Sequence, residues 1–283
     1  MWVAANIAEF EQHRRTMNEV AMVPTLGALH AGHLSLLERA RTISDDVLVT
    51  IFVNPTQFGP GEDFREYPRR LDADLEMCAS AQVTGVFCPE ADEIYAPEVP
   101  SCEVDVPSLT GTLEGACRPG HFNGVCTVVL KLLLITRPDW LCMGAKDYQQ
   151  LRVVQALVAD LRLPIGIVAC ETVRDEDGLA LSTRNDYLDP AQRRRACGLY
   201  KALNEARMLI DSAGETDPAR IESSMEQVMR AHRIDVDYAA VRHRLTLAPL
   251  DIIDLQVTGG VTLLVAGRVD ETRLIDNLEV MPA

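Results

Sequence analysis

The chain has 283 residues, of which 47% are hydrophobic, and a formal net charge of −15. That length supplies one large or two ordinary domains with a sizeable core. The charge argues against nucleic acid and anionic membrane surfaces as partners, while leaving room for a small anion held by a local field.

The eight cysteines, at 78, 88, 102, 117, 126, 142, 170 and 197, form no Cys-x-x-Cys pair, so no zinc site is expected. Most sit in apolar surroundings, as buried reduced thiols of a cytoplasmic protein do. Met1 to Val20 is charged throughout and has no apolar core of a signal peptide. The longest apolar run, Val125 to Ile135, is interrupted by Lys131 and is too short to span a bilayer.

In chain order, Val20–Val23 reads as a short strand, and Leu34–Ala40 as a helix just after a glycine turn. Val47–Val53 is apolar at nearly every position, the pattern of a strand buried on both faces. Arg70–Gln82 reads as a helix, Val86–Cys88 as a strand, and Phe122–Thr136 as an apolar helix ended by Pro138. Trp140–Met143 is a strand, Tyr148–Leu161 a helix and Ile165–Cys170 a strand. This alternation predicts an α/β fold with a doubly wound, Rossmann-like parallel sheet. Beyond Val173 the pattern changes. Arg174 to Gly178 is a polar connection, Pro190–Ser212 and Pro218–Ala231 read as amphipathic helices, and Tyr238–Val241, Ile252–Val257, Thr262–Ala266 and Leu274–Val280 read as strands. The expected division is 1–172 and a smaller α/β domain at 173–283.

The stretch Pro24-Thr-Leu-Gly-Ala-Leu-His-Ala-Gly-His33 joins a strand to a helix start. A helix start offers unpaired N–H groups and a positive dipole end, so it attracts anions. His30 and His33 lie three residues apart on one face of that turn. Together they read as a cradle for nucleotide phosphates; two ordinary surface histidines at a turn is the plainer alternative. No Gly-x-x-x-x-Gly-Lys-Ser/Thr and no Gly-x-Gly-x-x-Gly occurs, so a nucleotide would have to be held by this His-x-Gly-His turn.

Five further stretches carry polar chemistry. In Phe52-Val-Asn-Pro-Thr-Gln-Phe58, Asn54 and Gln57 suit hydroxyls and a carboxylate, although Asn-Pro is also a frequent turn opener. Arg118 and His121 stand before the apolar helix. Gly144-Ala-Lys-Asp147 follows a strand; its lysine can pair with phosphate and its aspartate can accept from ribose, or the loop can simply be solvated. Leu181-Ser-Thr-Arg184 groups two hydroxyls and a guanidinium, a second anion clamp. Asp72 and Asp74 sit two apart in a helix; one of them can reach Mg²⁺ through ATP phosphates, or both can belong to a solvated acidic face.

In this order the motifs resemble the pantothenate synthetase family, the pantoate–β-alanine ligases, whose fold belongs to the His-x-Gly-His nucleotidyltransferase superfamily. The motifs are Pro24–His33, Phe52–Phe58, Arg118–Phe122, Gly144–Gln150 and Asp177–Asn185, with Arg273–Asn277 near the end. The resemblance implies a two-step reaction: ATP and pantoate give pantoyl adenylate and pyrophosphate, then β-alanine displaces AMP. It implies ATP contacts from Leu26, Gly27, Ala28, Leu29, His30, Ala31, Gly32 and His33, from Gly144, Ala145, Lys146 and Asp147, and from Val173, Leu181, Ser182, Thr183 and Arg184. It points to His33, His30, Lys146 and Arg184 as catalytic, to Gln57 and Gln150 at pantoate, to Gln57 at β-alanine, and to Asp74 at Mg²⁺. A cytoplasmic homodimer is implied as well. Departures from the family pattern are Leu26 and Leu181 for methionine, Thr183 for serine, and Ala145 for glutamate. The competing readings are a nucleotidyltransferase of the same superfamily with another substrate, and a non-catalytic nucleotide-binding paralogue.

Overall fold

The computed structural model describes residues 1–282. Among the described residues there are nine strands: β1 (Trp2–Ala4), β2 (Val20–Thr25), β3 (Asp46–Ile51), β4 (Gly85–Phe87), β5 (Trp140–Gly144), β6 (Gly166–Cys170), β7 (Asp235–His243), β8 (Val261–Val269) and β9 (Thr272–Val280). The helices are α1 (Ile7–Arg14), α2 (Ala31–Arg41), α3 (Leu71–Ser80), α4 (Ala91–Tyr95), α5 (Pro107–Thr110), α6 (Glu114–Cys117), α7 (His121–Thr136), α8 (Tyr148–Asp160), α9 (Pro190–Ala196), α10 (Gly198–Asp211), α11 (Pro218–Ala231) and α12 (Leu255–Thr258). The chain divides into two compact units, residues 1–145 with 150–171, and residues 146–149 with 172–282.

In the first unit six parallel strands run in the order β1-β4-β3-β2-β5-β6. From β2 the chain winds outward through β3 and β4, then returns to place β5 on the other side of β2. The crevice beyond the carboxyl ends of β2 and β5 is therefore the topological switch point, where open parallel sheets bind ligands. The central strands are apolar on both faces because helices cover both: Val20–Val23 and Val47–Val49 are fully buried, and Leu36, Leu37 and Ala40 of α2 pack on one face. α7 ends at Arg137, which takes a left-handed conformation before Pro138.

In the second unit α10 and α11 cover an antiparallel sheet, β7-β8-β9, and bury Leu199, Leu203, Ile221, Met225 and Met229 against Val241, Leu263 and Val265. Two expected elements differ. The single helix over 190–212 is divided at Cys197 into α9 and α10. The strand expected over Ile252–Val257 does not form. Asp254 accepts from the Gln256 and Val257 amides and starts the short helix α12, leaving Ile252 and Val257 exposed. An aspartate cap outcompetes β-branched propensity there, because no neighbouring strand pairs with the segment.

Candidate active site

The turn after β2 is built from unusual backbone. Gly27 and Ala28 both have positive φ, +83° and +51°. A Cβ on Gly27 would come within 3.1 Å of the Asp74 carboxylate and 3.2 Å of Ile51, so glycine is needed for space as well as conformation. Asp74, only 3% exposed, accepts from the amides of Ala28 (2.9 Å) and Leu29 (2.7 Å), one with each carboxylate oxygen. Two such charge-assisted bonds stabilise the strained turn by roughly 1.5–3 kcal/mol each. Asp74, expected at magnesium, thus gives one bond from each oxygen to the turn, and it also lines the cavity beyond β2, β3 and β4. Among the described residues no group of three or more His, Cys, Asp or Glu side chains is placed to hold a metal ion.

The two histidines cap α2. The His30 Nδ1 accepts from the Gly32 amide at 3.1 Å, and the His33 Nδ1 accepts from the His30 amide at 3.2 Å. The rings lie 4.2 Å apart, centroid to centroid. A ring whose Nδ1 accepts carries its neutral-form proton on Nε2. Capping thus selects, for both imidazoles, the tautomer with Nε2–H as donor. Leu26 and Gly27 also line a cavity of about 350 Å³ with Phe52, Arg69, Arg70 and Asp74, beyond the ends of β2, β3 and β4.

Gln57 lies in a 3₁₀ turn, Pro55–Gln57, straight after β3. This turn packs on α7 so closely that a Cβ on Gly124 would come within 2.4 Å of the Thr56 carbonyl oxygen. The Asn54 amide is fully buried. Its Nδ2 donates to the Gly124 carbonyl (3.2 Å) and to the Gln57 Oε1 (3.1 Å). Its Oδ1 accepts from the Thr56 amide (3.3 Å), the Thr56 hydroxyl (3.0 Å) and the Tyr95 hydroxyl (2.5 Å).

Arg118 and His121 hold the main chain of the same turn. Arg118 makes a bidentate pair with Glu62, at 2.6 and 2.7 Å, and its Nη1 donates to the His121 Nε2 at 3.0 Å. The His121 Nδ1 donates to the Gln57 carbonyl at 2.7 Å. Burial and the adjacent Arg118 charge push His121 down to about 4, so the ring is neutral. Burial alone would raise Glu62, but the hydrogen bonds and charge of Arg118 outweigh it and bring the carboxyl to about 2. Gln150 lies partly buried in the first turns of α8. Gly144 ends β5, and Ala145 opens a 3₁₀ turn.

The remaining candidates lie in the second unit and share one support. The Asn277 side chain donates to the Lys146 carbonyl at 2.7 Å, and the Tyr148 hydroxyl bonds Glu279 at 2.7 Å and the Arg244 carbonyl at 2.8 Å. Next to Asn277 on β9, Asp276 holds Arg174 through two bonds of 2.6 and 2.9 Å, with the guanidinium 3.9 Å from the Tyr200 ring. Burial drives the Asp276 carboxyl upward, opposed by Arg174. The Val173 carbonyl accepts from the Leu181 amide, and the Ser182 hydroxyl caps the turn Thr183–Tyr187 by accepting from the Arg184 amide. β9 therefore gathers Lys146, Val173 and the Leu181–Arg184 segment. Asp147 is exposed beside Lys146, 3.6 Å from its ammonium. Asp276, Asn277 and Tyr148 were not legible as supports, because their partners stand 96 to 131 positions away.

The chain matches the family model described as pantoate–β-alanine ligase over residues 3–279. It is 48% identical over 260 residues to a pantothenate synthetase of Moorella thermoacetica, covering 92% of this chain and 90% of that one. A pantothenate synthetase structure from Thermus thermophilus superposes with a TM-score of 0.92 at 45% identity, over 100% of both chains. A pantoate–β-alanine ligase from Francisella tularensis, solved with β,γ-ATP and β-alanine, superposes with a TM-score of 0.81 at 33% identity, over 98% of this chain and 97% of that one. With the switch-point sheet and the His-x-Gly-His turn in place, the chain belongs to the pantoate–β-alanine ligase family.

Proposed function

We propose that the chain performs ATP-dependent ligation of pantoate to β-alanine through a pantoyl adenylate, as its family membership supports. A pantoate carboxylate oxygen attacks the α-phosphorus, the bond to the bridging oxygen breaks, and pyrophosphate leaves. The β-alanine amine then attacks the acyl carbon, loses a proton, and AMP departs. No nucleophilic side chain is required, because ATP activates the acid; positioning and charge stabilisation are the protein's part.

The observation that carries this reading is the paired imidazoles capping α2 at the switch point. Their Nε2–H groups and the start of α2 suit a phosphate chain gaining charge at the leaving oxygen, with His33 as the principal donor. Lys146 and Arg184 supply further cations, and Leu26–Ala31, Gly32, Gly144, Ala145, Asp147, Val173 and Leu181–Thr183 hold the rest of the nucleotide. Gln57 and Gln150 hold pantoate, and Gln57 also faces β-alanine. Magnesium arrives on the nucleotide's own phosphates and waters. Among the described residues no helix is long and apolar enough to cross a membrane, and no cysteine is in a disulfide. We place the protein in the cytoplasm as a homodimer, on the strength of its family resemblance.

The test is exchange of labelled pyrophosphate into ATP. Exchange that requires pantoate but not β-alanine, with AMP as the final nucleotide product, is expected. Exchange without pantoate would indicate a nucleotidyltransferase with another substrate, and binding without turnover a non-catalytic paralogue. Release of ADP and phosphate would overturn the adenylate.

A further inference from the structure

The orientation of the Asn54 amide is set by two main-chain partners of fixed polarity. The Thr56 N–H can only donate and the Gly124 carbonyl can only accept. A flipped Asn54 would set N–H against N–H and oxygen against oxygen, at a residue with no exposed surface. The orientation passes along the chain of bonds. Since Asn54 offers Nδ2 to Gln57, the Gln57 Oε1 must face it. The Gln57 Nε2 is then turned away, and it has no protein partner among the described residues. Gln57 therefore presents N–H donors outward and no acceptor.

One contact in this relay comes from far along the chain. The Tyr95 hydroxyl, at the end of α4, donates to the Asn54 Oδ1 and lies 2.9 Å from the Thr56 hydroxyl. Burial raises the phenol above its usual range, so it stays protonated and able to donate. The tyrosine ring is itself held in place, with the Lys131 ammonium 5.5 Å from its centroid and Phe52 at 6.3 Å. Removing the hydroxyl leaves the ring contacts intact but frees one side of the Asn54 amide.

We infer that Tyr95 is a positioning residue for the acid substrate: through Asn54 it holds the Gln57 amide as a donor aimed at a carboxylate or hydroxyl oxygen of pantoate. This rests on Gln57 lying at the acid site, as proposed above. The relay works on one substrate alone, since none of its bonds involves the turn at His30 and His33.

Three variants test it: Tyr95→Phe, Gln57→Ala and the double variant, each assayed with pantoate and ATP varied separately and checked by thermal melting. Tyr95→Phe should raise the pantoate KM about fivefold, the order of one loosened hydrogen bond, and leave the ATP KM within about twofold. In the Gln57→Ala background the same substitution should add nothing further to the pantoate KM, since the amide it orients is gone. A general packing defect would instead act equally in both backgrounds and move both KM values. An unchanged pantoate KM in Tyr95→Phe, beside a raised one in Gln57→Ala, overturns the inference alone. So does an equal effect of Tyr95→Phe in both backgrounds. An unchanged pantoate KM in Gln57→Ala removes the acid-site assignment, and the inference with it.

Discussion

The histidine turn and the Lys146 segment are built in opposite ways. The turn after β2 is nearly self-contained: its histidines bond amides two and three residues away, and its main outside support is Asp74, 45 to 46 residues on. The Lys146 segment is held by Asn277 and Glu279, each 131 residues from its partner. Proximity in sequence makes the first part robust and gives it a recognisable motif. The second part has its chemistry in one place in the chain and its support in another. A change on β9 can therefore displace a lysine that itself remains intact.

The largest expected effect falls on the self-contained part. His33→Ala should lower kcat by about 10²- to 10³-fold, the cost of one charge-stabilising donor. The His30 amide loses its capping partner, so the fold should weaken by only about 1 kcal/mol. Pre-steady-state measurement of adenylate formation, alongside a melt, checks both, and near-normal turnover would take this imidazole out of the chemistry.

Acid should then separate the Gln57 turn from the rest. His121 sits at about 4 when folded against an ordinary value of 6.5, so the unfolded chain takes up its proton first. Stability should fall as pH drops from about 6.5 towards 4, by an amount on the order of 3 kcal/mol. Glu62, at about 2 when folded, adds a further loss below its ordinary 4.5. Urea unfolding across this range, compared with His121→Asn, measures the first contribution. An equally steep acid limb in the variant would assign the loss elsewhere.

Asp74→Asn sharpens the comparison at the turn. The replacement keeps one acceptor and turns an NH₂ towards an amide, costing about 2 kcal/mol of stability and weakening ATP binding. Its dependence on Mg²⁺ concentration should match the wild type, since Asp74 braces peptide. A shifted magnesium requirement would return the residue to the metal.

The smallest effect is expected at the greatest sequence separation. Asn277→Ala should raise the ATP KM about fivefold, as one lost bond to the Lys146 carbonyl implies, and leave the pantoate KM unchanged. Titration calorimetry with ATP reads this directly. An effect on pantoate instead would show that β9 supports something other than the nucleotide segment.

The legibility of these parts follows the same division. The parallel sheet was readable because Val20–Val23 and Val47–Val49 are buried on both faces and must be apolar throughout. The turn was readable because glycine, histidine and a helix start are adjacent in the chain. Asp74 was visible as a residue, yet its work was not, since nothing local shows that a carboxylate will meet two amides of a distant turn. Arg118 and His121 read as loose cations because their partners, Glu62 and the Gln57 carbonyl, lie 56 and 64 positions away. Ile252–Val257 read as a strand because its side chains fit one, whereas the Asp254 cap and the lack of a pairing partner decided otherwise.

The placement of residues 146–149 with the second unit has a consequence in time. Because the chain passes from one unit to the other at 145/146, 149/150 and 171/172, no single cleavage separates them. During synthesis the β2 turn can close its own hydrogen bonds as soon as its helix has emerged. The Lys146 carbonyl must wait for Asn277, 131 residues later, a delay of roughly 7 to 26 s at 5–20 residues per second. The nascent protein thus holds a formed histidine turn well before its lysine is anchored, and Asn277 and Glu279 complete the support for a segment made 131 residues earlier.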